Sequence, residues 1–257
     1  MENCFFVSDL HGNAERYQKL FGAIRAERPP AVFIGGDFLP LPSFKPRSEG
    51  MSDRGFVHEY LAKQLAHLRL ELKNAYPRIF LIMGNDDPRF EEAAVLDVAS
   101  QGIWEYIHNR KVEFLHFRVY GYAYVPPTPF RLKDWERYDV SRYVDPGSIS
   151  PEEGVRSFPA TDQEKRYATI QDDLARFAGD ENMDQVIFLF HAPPYQTALD
   201  LAGLEGQMID HVPLDPHVGS IAIRRFVEAR QPLLTLHGHI HESPRLSRSW
   251  RDLIGRT

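Results

Sequence analysis

Cys4-Phe5-Phe6-Val7-Ser8-Asp9-Leu10-His11 sets the pattern of this chain: a short apolar run that ends on side chains able to ligate a metal. The pattern returns along the sequence. Ala31 to Ile34 runs into Gly36-Asp37, and Ile79 to Met83 runs into Gly84-Asn85-Asp86-Asp87. Val186 to Phe190 runs into His191, and Leu233 to Leu236 into His237-Gly238-His239-Ile240-His241. Continuous apolar runs of this length suit strands covered on both faces. Helical patterns lie between them, at Ala14 to Ala26, Val57 to Ala75, Pro88 to Ala99, Ala160 to Ala178 and Val218 to Ala229. Strands alternating with helices predict an α/β fold, and open α/β sheets put their sites at the C-terminal ends of strands.

The side chains at those ends are carboxylates, an amide and imidazoles. That mixture suits Mn, Fe, Zn or Ni rather than a thiolate site. Each motif alone has a plainer reading. Asp9 would serve as the N-cap of a helix starting near Asn13, Gly35-Gly36-Asp37 as a turn, and Asn85-Asp86-Asp87-Pro88 as a helix start with Pro at its first position. His191 alone would be a hydrogen-bonded core histidine. The joint occurrence defeats these readings. Three histidines at alternate positions from His237 to His241 serve no packing purpose, although His237 precedes the motif and reads as structural.

In order and spacing the series resembles the calcineurin-like metallophosphoesterase superfamily, whose pattern is D-x-H, G-D, G-N-H-D/E, H and G-H-x-H. The resemblance runs from Asp9 to His241. It implies a two-sheet β-sandwich flanked by helices (α/β/β/α) in a single domain over residues 1–257. The second sheet would begin between Trp104 and Val125, where Glu113 to Tyr120 and Tyr122-Ala123-Tyr124 read as antiparallel strands. Relatives run on past G-H-x-H through further strands, so the fold expected here lacks the last C-terminal ones. The resemblance also implies two divalent metal ions. The first would take Asp9, His11, Asp37 and His241, and the second Asp37, Asn85, His191 and His239, with Asp37 shared. Two ions about 3.5–4 Å apart clamp phosphoryl oxygens and lower the pKa of a bridging water, whose hydroxide attacks phosphorus.

One position departs from the family pattern. Where relatives carry the His of G-N-H, placed to contact phosphate or assist the leaving group, this chain has Asp86. An Asp of ordinary pKa, about 3.9, is an anion at neutral pH. As such it repels phosphate and protonates nothing. Either Asp86 is held neutral by a raised pKa or another residue takes the role. His217, in the loop from Asp210 to Ser220, is the candidate, and capping a helix that starts near Val218 is its alternative role.

Composition sets the outer limits. The 257 residues are 43% hydrophobic, enough for one large core. A formal charge of −6 argues against a broad nucleic-acid-binding face. Cys4 is the one cysteine, so no internal disulfide forms, as in a reducing compartment. No cleavable signal precedes the first motif, and no apolar run has the length of a membrane span, so a cytoplasmic protein is expected. Two long loops, Phe38 to Gly55 and Pro126 to Pro159, carry arginines and aromatics and form the expected substrate rim, with Arg54 as the substrate-binding residue. The expected activity is hydrolysis of a small-molecule phosphate ester, with monoester and diester both open. A nuclease of the same superfamily is an alternative, weakened by the acidic balance and the missing DNA-binding extension. A non-catalytic metal- and partner-binding relative ranks last, because no ligand is lost.

Overall fold

The computed structural model describes residues 3–41 and 55–257. In chain order, β1 (Phe5–Val7) leads to α1 (Ala14–Glu27) and β2 (Ala31–Gly35). A π-helical turn, Val57–Ala62, then runs into α2 (Lys63–Leu72) and a 3-10 turn, Lys73–Ala75. β3 (Arg78–Ile82), α3 (Glu92–Ser100) and β4 (Glu105–Tyr106) follow, then β5 (Lys111–Phe114) and β6 (Phe117–Tyr122). The second half holds α4 (Asp162–Arg166), α5 (Ile170–Ala178), β7 (Val186–Phe190), the small pair β8 (Met208–Ile209) and β9 (Val212–Pro213), α6 (Ile221–Arg230), β10 (Leu234–Leu236) and α7 (Ser243–Ser247).

Two four-stranded sheets result. The first, ordered β1-β2-β3-β4, is parallel throughout, with Phe6 beside Phe33 and Phe33 beside Phe80. The second, ordered β10-β7-β6-β5, is parallel except for the β5–β6 hairpin. β2 and β7, and β3 and β6, face each other across one continuous apolar core. Phe114 of the second sheet packs edge-on against Phe80 of the first at 5.5 Å. β2 and β7 are buried along their whole length, which is why they carry no alternation of polar residues.

The helices cover the outer faces. α1 buries Tyr17, Leu20, Phe21 and Ile24, one stripe at helical spacing. It is capped by Asn13, whose side chain accepts from the Arg16 amide at 3.1 Å, so Asp9 is free of that duty. α6 buries Ala222, Ile223, Phe226 and Val227. The chain from Val57 to Ala75 is helical throughout, as its periodicity predicts.

Two expectations are corrected. The pattern from Ala160 to Ala178 forms two helices, not one. Thr169 is extended and caps α5, while the Ile170 amide donates to Tyr138 O at 2.8 Å, so the long loop takes the backbone that would have joined them. The run from Glu113 to Tyr120 is a hairpin, not one strand, because Leu115 turns the chain in the left-handed region with φ 54°. No Gly, Asn or Pro marks that turn.

The loop from Pro126 to Pro159 contains no helix or strand, but it is built inward. Trp135 is fully buried and its indole N–H donates to Asp87 O at 2.8 Å. Lys133 and Glu136 form a fully buried ion pair, with Thr128 bonded to the same carboxylate. Arg137 bonds Asp173 at 2.6 Å, Arg142 bonds Glu152 and Arg156 bonds the Lys133 carbonyl, so these cations are engaged within the protein. Most of the other loop, including Lys45, Arg47 and Arg54, lies outside the described residues. No strand follows β10 among the described residues, and no helix there is long and apolar enough to cross a membrane.

Candidate metal centre

Every sequence-predicted ligand lies just past the C-terminal end of a strand. Asp9 and His11 follow β1, Asp37 follows β2, Asn85 follows β3, His191 follows β7, and His239 and His241 follow β10. The loops after β1 and β2 run side by side, joined by Asp9 N to Gly36 O at 3.0 Å, His11 N to Asp37 O at 2.8 Å and Gly12 N to Phe38 O at 3.1 Å. The loop after β3 is tied to them by Asp86 N donating to Asp37 Oδ1 at 2.8 Å. The two sheets are joined at this edge by His239 N donating to Asp9 Oδ1 at 3.1 Å, and by His191 Nδ1 donating to Gly35 O at 2.7 Å.

Two groups of ligand atoms emerge. Asp9, His11, Asp37 and His241 each offer an atom within 4.8 Å of the others, and so do Asp37, His191 and His239. Asp37 belongs to both. Asn85 joins the second group, its Oδ1 lying 3.1 Å from His191 Nε2. The first group opens to solvent through half-exposed His241; in the second Asp37, Asn85 and His191 are buried and His239 is partly exposed.

The donor set fits metal ions on three counts. First, lone pairs converge. Gly35 O only accepts, so His191 Nδ1 carries the proton. Nε2 of the neutral ring then points a lone pair at Asn85 Oδ1 and at Asp37 Oδ2, 3.2 Å away. Only a proton or a cation relieves that arrangement. Donation from Nδ1 to a backbone carbonyl is also the usual way a ligating histidine is held. Second, His11 Nδ1 is buried with no hydrogen-bond partner among the described residues, while its Nε2 faces His241 Nε2 at 3.0 Å. Third, the space is kept open by glycines. A Cβ on Gly84 would lie 2.3 Å from Asp37 Oδ1, and one on Gly238 would lie 1.9 Å from Ser8 Oγ and 2.7 Å from Asp9 Oδ2.

The electrostatics follow from this crowding. Burial favours the neutral forms, yet the hydrogen bond from His241 and the nearby His191 hold Asp9 well below the usual carboxylate range. Burial likewise opposes charge on His191, but Asp37 beside it outweighs that and holds the ring up at about 10. Asp37 is correspondingly lowered. Burial, then repulsion from His191, pushes His239 down to about 4, leaving it neutral and available as a ligand.

Asp86 and Asp87 divide the motif between them. Asp87 is fully buried and accepts from the Leu39 amide at 2.8 Å and the Gly84 amide at 2.9 Å, clamping the loops after β2 and β3 together. Asp86 is part-exposed, with its Oδ1 on Asn85 Nδ2 at 3.0 Å and its Oδ2 4.0 Å from His11 Nδ1. Burial and then Asp37 push it up to about 6, so it takes a proton far more readily than an ordinary Asp while staying mostly ionised at neutral pH. His237 is structural: Nδ1 donates to Ala192 O at 2.8 Å and the ring stacks on Phe190. His217 is not the cap of α6. Ser220 caps that helix, and Asp139 accepts from the Ile221 amide at 2.7 Å. His217 Nδ1 instead bonds buried Asp200 at 2.7 Å. Sequence reasoning passed over Asp200 and Trp135, neither of which sits in a motif.

No curated protein matches the chain. A solved structure that is 16% identical superposes with a TM-score of 0.54, over 99% of this chain and 87% of that one, a likeness of fold alone. A second, TT1561 of Thermus thermophilus, is 17% identical with a TM-score of 0.46, over 91% of this chain and 80% of that one. The sequence pattern of the calcineurin-like phosphoesterases matches residues 4–243, which take in every ligand described above, and the chain belongs to that family.

Proposed function

We propose that this protein is a binuclear metal-dependent hydrolase of small-molecule phosphate esters. The observation that carries the reading is the sharing of Asp37 between two ligand groups. A carboxylate has two oxygens and a full negative charge, so it can serve two cations and offset their repulsion. Asp9, His11, Asp37 and His241 hold one ion, and Asp37, Asn85, His191 and His239 hold the other. When bound, such a pair clamps phosphoryl oxygens and supplies a strong nucleophile from water at neutral pH.

The chain's own residues set the rest. Asn85 contributes a neutral donor, which limits how far the carboxylates quench the Lewis acidity of the pair. Half-exposed His241 marks the open side, where substrate enters. Asp86, on that side, lies beside His11 and would face a bound phosphate. As a neutral acid it donates a hydrogen bond, and as an anion it repels. Arg54, which lies outside the described residues, is the proposed phosphate-gripping residue. A monoester and a diester both suit this arrangement.

The test is metal analysis of purified protein together with turnover of p-nitrophenyl phosphate and bis(p-nitrophenyl) phosphate in Mn²⁺. About two ions per chain and turnover of at least one ester are expected. Asp37→Ala removes both ions and all hydrolysis. A variant that keeps near-normal metal content and turnover shows the shared-ligand assignment to be wrong.

A further inference from the structure

We infer that His217 and Asp200 form a dyad that delivers a proton to the leaving group, with Asp200 as the positioning residue. The inference rests on the phosphoesterase reading above and supplies the group that Asp86 replaces in the Gly84-Asn85-Asp86-Asp87 motif. Asp200 is fully buried and both its oxygens are fixed. Oδ1 accepts from the Thr197 amide at 2.8 Å and from His217 Nδ1 at 2.7 Å. Oδ2 accepts from the Gln196 amide at 2.9 Å and the Gly219 amide at 3.1 Å. A carboxylate only accepts, so Nδ1 of His217 carries a proton and the ring is fixed in orientation. Nε2 has no partner among the described residues, and the side chain is 28% exposed. Asp215 braces the same residue, accepting from the His217 amide at 2.8 Å and from Tyr195 Oη at 2.5 Å.

The fold brings this loop to the metal edge from two sides. Ser220, three residues past His217, donates its amide to Pro193 O at 2.8 Å, and Pro193 lies two residues past His191. Leu201 bridges to His217 and donates its amide to Ser243 Oγ at 3.0 Å, two residues past His241. The segment that carries the dyad is thus bonded both to the chain just past His191 and to the chain just past His241. A role in capping α6 is already taken by Ser220 and Asp139. A buried carboxylate that orients a part-exposed imidazole, on a segment tied to the loops that carry His191 and His241, is arranged for proton transfer rather than for packing.

In the step itself, a water oxygen forms the new bond to phosphorus. The bond from phosphorus to the ester oxygen breaks, and its electron pair stays on that oxygen. The proton from His217 Nε2 joins the ester oxygen, giving the free alcohol. The proton released by the attacking water returns to the neutral ring. Esters with poor leaving groups need this transfer, and aryl esters scarcely need it.

The test compares alkyl phosphates with p-nitrophenyl phosphate in wild type, His217→Gln, Asp200→Asn and the double variant. Each single change lowers kcat on alkyl esters roughly 10²-fold more than on the aryl ester. The double variant is no worse than His217→Gln. Independently of activity, the Nδ1 proton of His217 gives a downfield NMR signal that vanishes in His217→Gln and moves upfield in Asp200→Asn. Equal losses on both ester classes, losses that multiply in the double variant, or a wild type that cleaves aryl but no alkyl esters overturns the dyad. If Asp200→Asn does not fold, His217→Gln alone decides by the same ester comparison. Wild-type protein that cleaves no ester while holding its metals overturns the phosphoesterase reading, and the dyad with it.

Discussion

Gly84→Ala adds one methyl group at the point where the two ligand groups meet. The φ of Gly84 lies outside the left-handed region, so alanine accepts its backbone and the whole cost lies in contacts. The new Cβ falls 2.3 Å from Asp37 Oδ1 and 2.6 Å from both the Asp37 amide nitrogen and His191 Nε2. Ordinary contact for such atoms needs roughly 3.5 Å, so Asp37 Oδ1 has to retreat by about 1 Å. An ion held by these groups would tolerate only about 0.2 Å of error in ligand distance. The shift is several times that tolerance, and it also breaks the 2.8 Å bond from the Asp86 amide to the same oxygen. Metal affinity should fall by at least roughly 10²-fold, more than loss of a supporting partner costs elsewhere. Overpacking of this kind costs about 1–3 kcal/mol, or about 2–12 °C in Tm for a chain of this size. The measurements are metal content by mass spectrometry after equilibrium dialysis, and thermal melting by circular dichroism. Gly22→Ala is the control, because a Cβ there meets nothing within 4 Å and the glycine sits inside α1. That change should stabilise by about 0.5–1 kcal/mol and leave metal content alone. Two tightly held ions and a wild-type melting temperature in Gly84→Ala would refute the tight geometry assigned to this centre.

Asn85→Ala should weaken the buried site selectively, leaving about one ion per chain at limiting metal, with activity partly rescued by excess Mn²⁺; equal loss of both ions counts against the split between sites. Metal binding at pH 8 should release about one proton per chain from His191, whose ring Asp37 holds at about 10 against the effect of burial. Calorimetry in buffers of different ionisation enthalpy measures that number, and heats independent of buffer would exclude it. Asp86→Asn tests the raised acid. Burial, then Asp37, lifts the folded pKa to about 6, above the ordinary value near 3.9, so the stability linked to this group is present below about pH 4 and lost as pH rises through 6. Metal-free Asp86→Asn should match wild type near pH 4 and exceed it by up to roughly 2–3 kcal/mol at pH 7.5. Denaturant melts in EDTA that show the same pH dependence in both proteins would overturn that assignment.

The central strands β2, β3 and β7 were legible because each is apolar on both faces and stops where a polar group is needed, whereas β1 and β10, expected to be buried too, are sheet edges and part-exposed. Val186 to Phe190 and the helical stretch from Val57 to Ala75 match the structure end to end. The misread places share one cause: backbone committed to partners far away in sequence. Thr169 looks like the middle of an amphipathic helix, but its neighbour donates to Tyr138 in the long loop. Leu115 has no turn chemistry, and hairpin pairing forces it into the left-handed region. The loop from Pro126 to Pro159 shows the same limit. Its arginines and aromatics suggested an open rim, yet Trp135 is turned inward onto the Asp87 carbonyl and the Lys133–Glu136 pair is buried on Thr128. Local sequence marks where a chain is polar, but not which distant group satisfies that polarity.

The ligands themselves were legible as residue types, while the conformation that lets them meet was not. Asp9 and His11 alternate along an extended segment, so their side chains would meet at one ion only if the chain bends at the strand's end. The structure bends it by placing Asp9, His11, Asp37 and His239 in the left-handed region, with φ of 56°, 47°, 49° and 76°. Asp and His tolerate that region better than most residues, but non-glycine residues held there still cost of order 1–3 kcal/mol each. Glycine would relieve the strain and forfeit the ligand. The strain is instead held by the amides of Asp9, His11 and His239, which donate to Gly36 O, Asp37 O and the Asp9 carboxylate. Each of these bonds joins one ligand loop to another, so no ligand's position is set by its own strand alone. The backbone geometry is thus fixed by contacts within the protein, which hold the candidate ligands together.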